Sequence, residues 1–183
     1  MNSSFAKWLH QKVMGWQIVG TFPQDVNKAI IVVAPHTSNW DFLHGFLTRA
    51  IQKFPSNFMI KNDWLKKPVI GKWFVNQGGV GVDRSKNMKL TDQIVEKFEE
   101  RDQFVIAITP EGTRKYNPNW KSGFWYIAKK ANVPLVPATF DYPTKRVIWH
   151  EPFYLTDDKD ADFERLRQLF VQYEGKHPEQ GVK

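Results

Sequence analysis

Two short apolar runs place the strongest constraint on the fold of this 183-residue chain. Ala29–Ala34 and Phe104–Thr109 are continuous, rich in β-branched residues and too short for buried helices, so each is expected to be a strand buried on both faces. Helical patterns alternate with these and other strand-like runs, which predicts an α/β fold, a single-domain mixed sheet flanked by helices. Polar residues follow each run at once, and open α/β sheets bind ligands beyond the carboxyl ends of their strands.

The predicted elements cover the chain without a repeat or a linker between two compositions. Helices are predicted over residues 4–19, 39–53, 63–76, 87–101, 121–131 and 160–173, and Pro68 interrupts the third. Strands are predicted over residues 29–34, 57–61, 80–84, 104–109, 134–140 and 146–149. We therefore expect one domain over 1–183, with an N-terminal amphipathic helix over 1–20 and an α/β core over 21–183.

The first polar segment, His36 to Asp41, brings together an imidazole and a carboxylate. In one continuous helix five residues turn through about 500°, so the two side chains would diverge. They can meet if His36 lies in the turn after the strand and Asp41 in the first turn of the next helix, with Ser38 as its cap. Asp41 would then orient His36 as a general base. The alternative is a loop histidine beside a capping aspartate, and His44, inside the helix, is expected to be structural.

The second polar segment is Pro110-Glu111-Gly112-Thr113-Arg114. Gly112 permits a tight turn or a close approach of the backbone to a ligand. Arg114 offers a planar fork suited to phosphate, and Lys121 adds positive charge nearby. Glu111 is expected to pair with a cation or to bind a substrate hydroxyl. The alternative is a solvated turn with a surface salt bridge.

Two further segments have weaker patterns. Gly78 to Ser85 is rich in glycine and would deliver Arg84 to the same edge of the sheet, although a hairpin or turn is the alternative. Val133 to Pro137 has two prolines around an apolar pair, which indicates an edge strand or the wall of an apolar groove.

Charge and composition narrow the class of partner. The chain has no cysteine, which excludes disulfides, thiolate catalysis and cysteine metal sites. A net charge of +7 favours anionic partners such as nucleic acid, anionic lipid or a phosphorylated small molecule. No nucleic-acid partner is expected, because the sequence has no basic helix or stacking-sheet signature. No run approaches the roughly 20 apolar residues of a membrane span, and no signal-peptide core is present, so we expect an intracellular protein.

The four segments, taken in order, resemble the sequence blocks of the glycerophosphate and lysophosphatidate acyltransferase superfamily. The matching positions are His36 with Asp41, Gly78 to Arg84, Pro110 to Arg114 and Val133 to Pro137, and the resemblance spans about residues 16–140. It implies a glycerol-3-phosphate acyltransferase-like fold. It also implies transfer of a fatty acyl chain from acyl-CoA or acyl carrier protein to a lysophospholipid hydroxyl in phospholipid biosynthesis, with 1-acylglycerol 3-phosphate as the leading acceptor.

The resemblance also assigns roles to residues. His36 becomes the general base and Asp41 the group that orients it, and no metal or other cofactor is expected. The acceptor and phosphate site is assigned to Arg84, Glu111, Gly112, Thr113, Arg114 and Lys121. Thr109 stands where the family usually has Phe, and Gly81 replaces a bulkier residue, which leaves the acceptor open. The alternatives are another lipid acceptor, such as a lyso-aminolipid, or a non-catalytic binder of anionic lipid.

Contact with an anionic membrane is expected from two segments, which would hold the protein on the cytoplasmic membrane face. The predicted helix over 4–19 combines basic and apolar residues, namely Phe5, Lys7, Trp8, Leu9, Lys12, Val13, Trp16 and Ile18. Residues 61–74 interleave four lysines with Trp64, Leu65, Val69, Ile70, Trp73 and Phe74. The alternatives are an ordinary helix packed on the sheet and a solvated charged face.

Overall fold

A computed structural model describes residues 2–82 and 89–183 of the chain. An N-terminal helix, α1, covers Ser3–Lys7 and continues as a π-helix over Trp8–Val13. The other α-helices in this part are α2 (Trp40–Gln52), α3 (Asn62–Leu65), α4 (Ile70–Asn76), α5 (Leu90–Glu99), α6 (Gly123–Ala131) and α7 (Lys159–Phe170). The strands are β1 (Gln17–Val19), β2 (Lys28–Val33), β3 (Phe58–Lys61), β4 (Gly79–Val82), β5 (Phe104–Ile108), β6 (Leu135–Asp141) and β7 (Arg146–Trp149). A short 3₁₀-helix covers Pro178–Gln180.

The main sheet has the order β1-β7-β6-β2-β5 within the described residues. Its neighbouring strands are parallel except for β6 and β7, so the sheet is mixed, as predicted. β3 and β4 form a second, parallel pair, and a bridge between Asn57 and Ile106 joins this pair to β5. The carboxyl ends of β2, β5 and β6 therefore lie at one edge, where the polar segments begin.

The central strands are buried on both faces. On one face, Ile30 and Val32 belong to a core that includes residues of α5, α6 and α7. On the other face, Ile31 and Val33 lie below α2, at a cavity described below. Helices on both faces of a mixed sheet confirm the predicted α/β class.

The N-terminal helix is shorter than predicted, and the expected helix over 4–19 is wrong beyond Val13. Gly15 has a φ of +74°, a left-handed conformation that ends a helix and suits glycine. The chain then forms β1 beside β7. Trp16 is consequently buried, with its ring stacked on His44 at 3.7 Å between centroids, and cannot belong to an exposed helix face.

The segment Val133 to Pro137 leads into a central strand, so the edge-strand alternative is wrong. β6 lies between β2 and β7. The carbonyl of Pro137 accepts a hydrogen bond from the N–H of His150, just after β7 ends at Trp149. The missing N–H of Pro137 therefore falls where the antiparallel ladder stops, and this explains why the strand tolerates it.

The other described helices and strands lie within about three residues of their predicted bounds, except the 3₁₀-helix over Pro178–Gln180, for which no element was predicted. Arg84, the end of its predicted strand and the start of the helix predicted over 87–101 lie outside the described residues. No helix in the described ranges is both long and apolar enough to cross a bilayer.

Candidate active site

His36 lies in the turn between β2 and α2, and Asp41 lies in the first turn of α2. His36 Nδ1 is 2.9 Å from Asp41 Oδ2, which is the contact that the sequence predicted. No other hydrogen bond to the imidazole ring occurs in the described part of the chain, so Nε2 is open to a ligand. The helix begins at Trp40, one residue later than a Ser38 cap would give, and the Ser38 hydroxyl accepts a hydrogen bond from the Trp40 N–H.

The Asp41 carboxylate is buried and accepts hydrogen bonds on both oxygens. The backbone N–H groups of Thr37 and Ser38 donate to Oδ2 at 3.1 and 3.0 Å. The hydroxyl of Tyr142 donates to Oδ1 at 2.6 Å. Burial and this hydrogen bond raise the pKa of Tyr142, so its phenol keeps the proton that it donates. A carboxylate fixed in this way can orient the imidazole and stabilise the imidazolium that forms when His36 takes up a proton.

Glu111 has different surroundings from those expected of a headgroup ligand. Its side chain is only 3% exposed, and both of its oxygens accept from the backbone N–H of His36, at 3.0 and 3.3 Å. Burial raises the pKa of Glu111 to about 7, although the hydrogen bond from His36 opposes that shift. Asn117 in turn donates to the Glu111 carbonyl at 2.7 Å. Glu111 therefore ties the loop after β5 to the loop that carries His36.

Exposed cations gather beside this pair of loops. Arg114 donates to the side chain of Asn39, the residue before α2, and Thr113 is exposed next to it. Gly112 has a φ of +66° and borders the cavity below, and the exposed Lys121 lies against its backbone. A Cβ atom built on Gly112 would lie 3.0 Å from the Lys121 side chain.

The carboxyl-terminal tail adds a cation that the sequence did not indicate. Lys176 Nζ lies 4.8 Å from the ring centroid of Trp40, at the start of α2. The neighbouring His177 N–H donates to the hydroxyl of Thr37, which fixes the tail on the His36 loop. In the described ranges, none of Arg114, Lys121 and Lys176 lies within ion-pair distance of a carboxylate, so each can meet an anionic ligand.

A cavity of about 520 Å³ borders His36 and Asp41. It lies between α2 and the sheet, and its walls are mainly apolar. The sheet contributes Ile31, Val33, Ala107, Ala138, Phe140 and Trp149. On the α2 side Gly45 has no side chain, and a Cβ atom there would approach Phe140 at 3.5 Å. Ligand cavities commonly measure about 300–1,000 Å³, so this one can hold an apolar chain beside the base.

Behind the site, His44 and His10 form a buried pair. His10 Nε2 and His44 Nδ1 are 3.2 Å apart, which joins the N-terminal helix to α2. The pKa of each is lowered to about 4, by burial for His10 and by burial together with the neighbouring His10 for His44. Both are therefore neutral near pH 7, and His44 has the structural position expected for it.

The structure brings together His36, Asp41, Gly112, Arg114 and Lys121, and Thr113 is exposed beside Arg114. Arg84 lies outside the described residues. Sequence reasoning missed Tyr142 and Lys176. Tyr142 directly follows β6 and belongs to no recognisable motif. It lies 101 residues from Asp41 along the chain, so only the folded structure brings the two side chains together.

The chain resembles known acyltransferases both in sequence and in fold. A family model described as Acyltransferase matches residues 16–141. The crystal structure of the 1-acyl-sn-glycerophosphate (LPA) acyltransferase, PlsC, from Thermotoga maritima matches with a TM-score of 0.66 and 18% sequence identity, over 92% of this chain and 74% of that chain. At this identity the structural match shows the fold. No curated protein sequence matches this chain.

Proposed function

This chain belongs to the acyltransferase family, and we propose that it transfers a fatty acyl chain from a thioester donor to the hydroxyl of a lysophospholipid. The observation that carries the proposal is the position of the His36–Asp41 pair, which borders an apolar cavity and lies beside cations that meet no carboxylate in the described part of the chain. The cavity suits a hydrocarbon chain and the cations suit a phosphate.

The proposed reaction begins when His36 Nε2 removes the proton from the acceptor hydroxyl. The hydroxyl oxygen attacks the thioester carbonyl, a carbon–oxygen bond forms and the carbon–sulfur bond breaks. The proton on His36 then passes to the departing thiolate, so the products are an ester and a free thiol. Asp41 stabilises the imidazolium in between, and general base catalysis of this kind contributes about 10²- to 10⁴-fold to the rate.

The leading acceptor is 1-acylglycerol 3-phosphate. Its phosphate would meet Arg114 and Lys121, and Lys176 adds positive charge at Trp40, next to the Asn39 that Arg114 contacts. Acyl-CoA and acyl carrier protein are both candidate donors, and both would reach the enzyme from the cytoplasmic side of the membrane. Another lipid acceptor, such as a lyso-aminolipid, would use the same base and the same cavity.

Acyl transfer by the purified protein tests this function. Palmitoyl-CoA or palmitoyl acyl carrier protein is offered with a panel of lyso-acceptors, and free thiol and the acylated product are measured. Product from 1-acylglycerol 3-phosphate is expected. Product from a different acceptor alone would keep the mechanism and correct the acceptor, whereas no product with either donor would indicate a lipid binder without catalysis.

The variant His36→Ala tests the assignment of the base. We expect its turnover to fall about 10²- to 10⁴-fold, since no other imidazole borders the described cavity. Asp41 Oδ2 keeps its two backbone donors, from Thr37 and Ser38, when the imidazole is removed, so the melting temperature and lipid binding should stay close to those of the unmodified protein. A variant that kept most of its rate would show that His36 is not the base.

A further inference from the structure

Residues 62–76 form a helical hairpin, α3 and α4, between the parallel strands β3 and β4. The hairpin exposes apolar side chains to an unusual degree. Trp64, Val69, Ile70, Trp73 and Val75 are each at least 43% exposed. We call these five residues, with the lysines at 66, 67 and 72, the α3–α4 patch. Such a cluster on a single element indicates an interaction surface.

The charges of the α3–α4 patch favour an anionic partner. Lys66, Lys67 and Lys72 are exposed, and none has a carboxylate within ion-pair distance in the described part of the chain. Asp63 is the one acidic residue of the hairpin. Lys67 Nζ lies 4.1 Å from the Trp64 ring centroid, so cation and aromatic ring are presented together. At a bilayer surface, tryptophan rings can insert into the interfacial region while lysines contact the lipid phosphates beside them.

An aromatic path connects this patch to the cavity. Phe42 and Phe58, which both line the cavity, are 5.6 Å apart between ring centroids. Phe58 contacts Phe74 at 6.2 Å. Phe74 in turn contacts the exposed Trp73 at 5.0 Å and Trp64 at 6.3 Å. Ring contacts therefore run from the wall of the cavity to the outer face of the hairpin.

The hairpin is held in a defined position beside α2. A Cβ atom on Gly71 would lie 2.1 Å from the Leu65 carbonyl oxygen, so only glycine allows the two short helices to pack this closely. Arg49 of α2 donates to the carbonyl of Gln77, directly after α4. The α3–α4 patch therefore lies on a well-packed hairpin, and the hairpin also carries the outer part of the aromatic path.

We propose that the α3–α4 patch docks the protein on an anionic bilayer, and that the aromatic path carries the acyl chain of a membrane lipid to the cavity. The docking is inferred from the exposed residues alone, whereas the role of the aromatic path depends on the proposed acyl transfer. The N-terminal helix also exposes Phe5, Trp8 and Val13, but among the described residues no chain of ring contacts leads from that face into the cavity.

Vesicle flotation tests the docking. The full chain is mixed with vesicles of phosphatidylcholine, with and without phosphatidylglycerol, and the bound fraction is measured. The double variant Trp64→Ala/Trp73→Ala and the triple variant Lys66→Gln/Lys67→Gln/Lys72→Gln should each bind anionic vesicles at least tenfold more weakly than the unmodified chain. Matched controls, which should bind normally, are Tyr154→Ala, an exposed aromatic elsewhere, and Lys53→Gln/Lys89→Gln/Lys145→Gln, which removes the same charge from exposed positions outside the patch.

Normal binding by both patch variants would overturn the proposal, and so would equal binding of the unmodified chain to neutral and anionic vesicles. Loss of binding in Trp8→Ala with the patch variants unaffected would place the contact on the N-terminal helix instead. A change of oligomeric state in Trp64→Ala/Trp73→Ala would show that the patch binds a second copy. Thermal unfolding of each variant confirms that it is folded.

Acyl transfer separates docking from chemistry. With a short-chain donor and a lyso-acceptor kept below its micelle threshold, the lysine triple variant should retain the rate of the unmodified chain within about twofold. With the acceptor embedded in anionic vesicles, its rate should fall at least tenfold. A triple variant equally active in both assays would overturn the docking, whereas flotation without transfer in either assay would leave docking intact and reject the proposed function.

Discussion

Asp41 can orient His36 because hydrogen bonds from other parts of the protein fix the Asp41 carboxylate. Its Oδ2 accepts from two backbone N–H groups as well as from the imidazole, and its Oδ1 accepts from Tyr142. The backbone donors come from the same loop as His36, so they form whenever the turn after β2 forms. Tyr142 is different, because it reaches the carboxylate from the end of β6 and makes the geometry depend on the folded sheet.

Tyr142→Phe should slow catalysis without weakening substrate binding. The change removes the donor to Asp41 Oδ1, so kcat should fall about tenfold, the equivalent of one net hydrogen bond to a charged group. The KM should stay unchanged, since Tyr142 does not line the cavity. The free energy of unfolding should fall by about 1–2 kcal/mol, because a buried carboxylate oxygen loses its partner.

Steady-state kinetics and urea unfolding measure both effects, with Tyr173→Phe as the matched control. Tyr173 packs on His150, and its hydroxyl does not contact Asp41. A higher KM with an unchanged kcat in Tyr142→Phe would contradict the positioning role and indicate direct contact with substrate.

At this scale the sequence predicts what is local. His36 and Asp41 could be paired in advance because they flank one recognisable turn, and the spacing lets their side chains meet in only one geometry. Glu111 lay in a recognisable segment, but its burial against the His36 backbone depends on how closely two loops pack. Tyr142 and Lys176 had no local signal at all, since each reaches the site only through tertiary structure.

Among the elements, the N-terminal segment differs most from its predicted form. Its apolar spacing continues past Val13. A helical pattern alone cannot show where the backbone leaves the helix to form hydrogen bonds with a neighbouring strand. Gly15 lowers the cost of leaving the helix, and β7 offers backbone partners to residues 17–19. The helix that remains is tied to α2 by the buried contact between His10 and His44.

This contact should make folding sensitive to mild acid. Burial lowers the pKa of both histidines to about 4, whereas in the unfolded chain each titrates near 6.5. Below pH 6.5 the two histidines therefore bind protons in the unfolded state, whereas in the folded state they stay neutral until about pH 4. The stability from the neutral pair is complete above pH 6.5 and falls as the pH drops through this window.

The variant His10→Met isolates the effect. It fills the site without a titrating group, so its free energy of unfolding should fall less than that of the unmodified chain between pH 7 and 5, by on the order of 1 kcal/mol. Glu111 has a raised pKa and acts in the opposite sense, but it is common to both proteins and cancels in the difference. His177→Met, at an exposed histidine, should follow the unmodified chain, and parallel curves for all three proteins would contradict the prediction.

For the whole molecule, strand order explains why two segments distant in sequence form one site. β2 lies between β5 and β6, and all three are parallel, so the loops after them meet at one edge. Continuous apolar runs with a polar residue at each carboxyl end were enough to predict that edge. The depth of the cavity could not be predicted, because it depends on how far α2 lies from the sheet and on small residues such as Gly45 and Ala107.

If the cavity holds the acyl chain, filling it should shorten the chains that the enzyme accepts. Ala107 lies on β5 among the residues that line the cavity, and a phenylalanine there would occupy space that distal methylenes need. Displacing about three methylenes from apolar surface, at roughly 0.8 kcal/mol each, should lower kcat/KM for palmitoyl donors about 50-fold relative to octanoyl donors. Ala161→Phe, the same change on the exposed side of α7, should leave the chain-length profile unaltered. A loss in Ala107→Phe that was equal at every chain length would mean that the cavity does not hold the transferred chain.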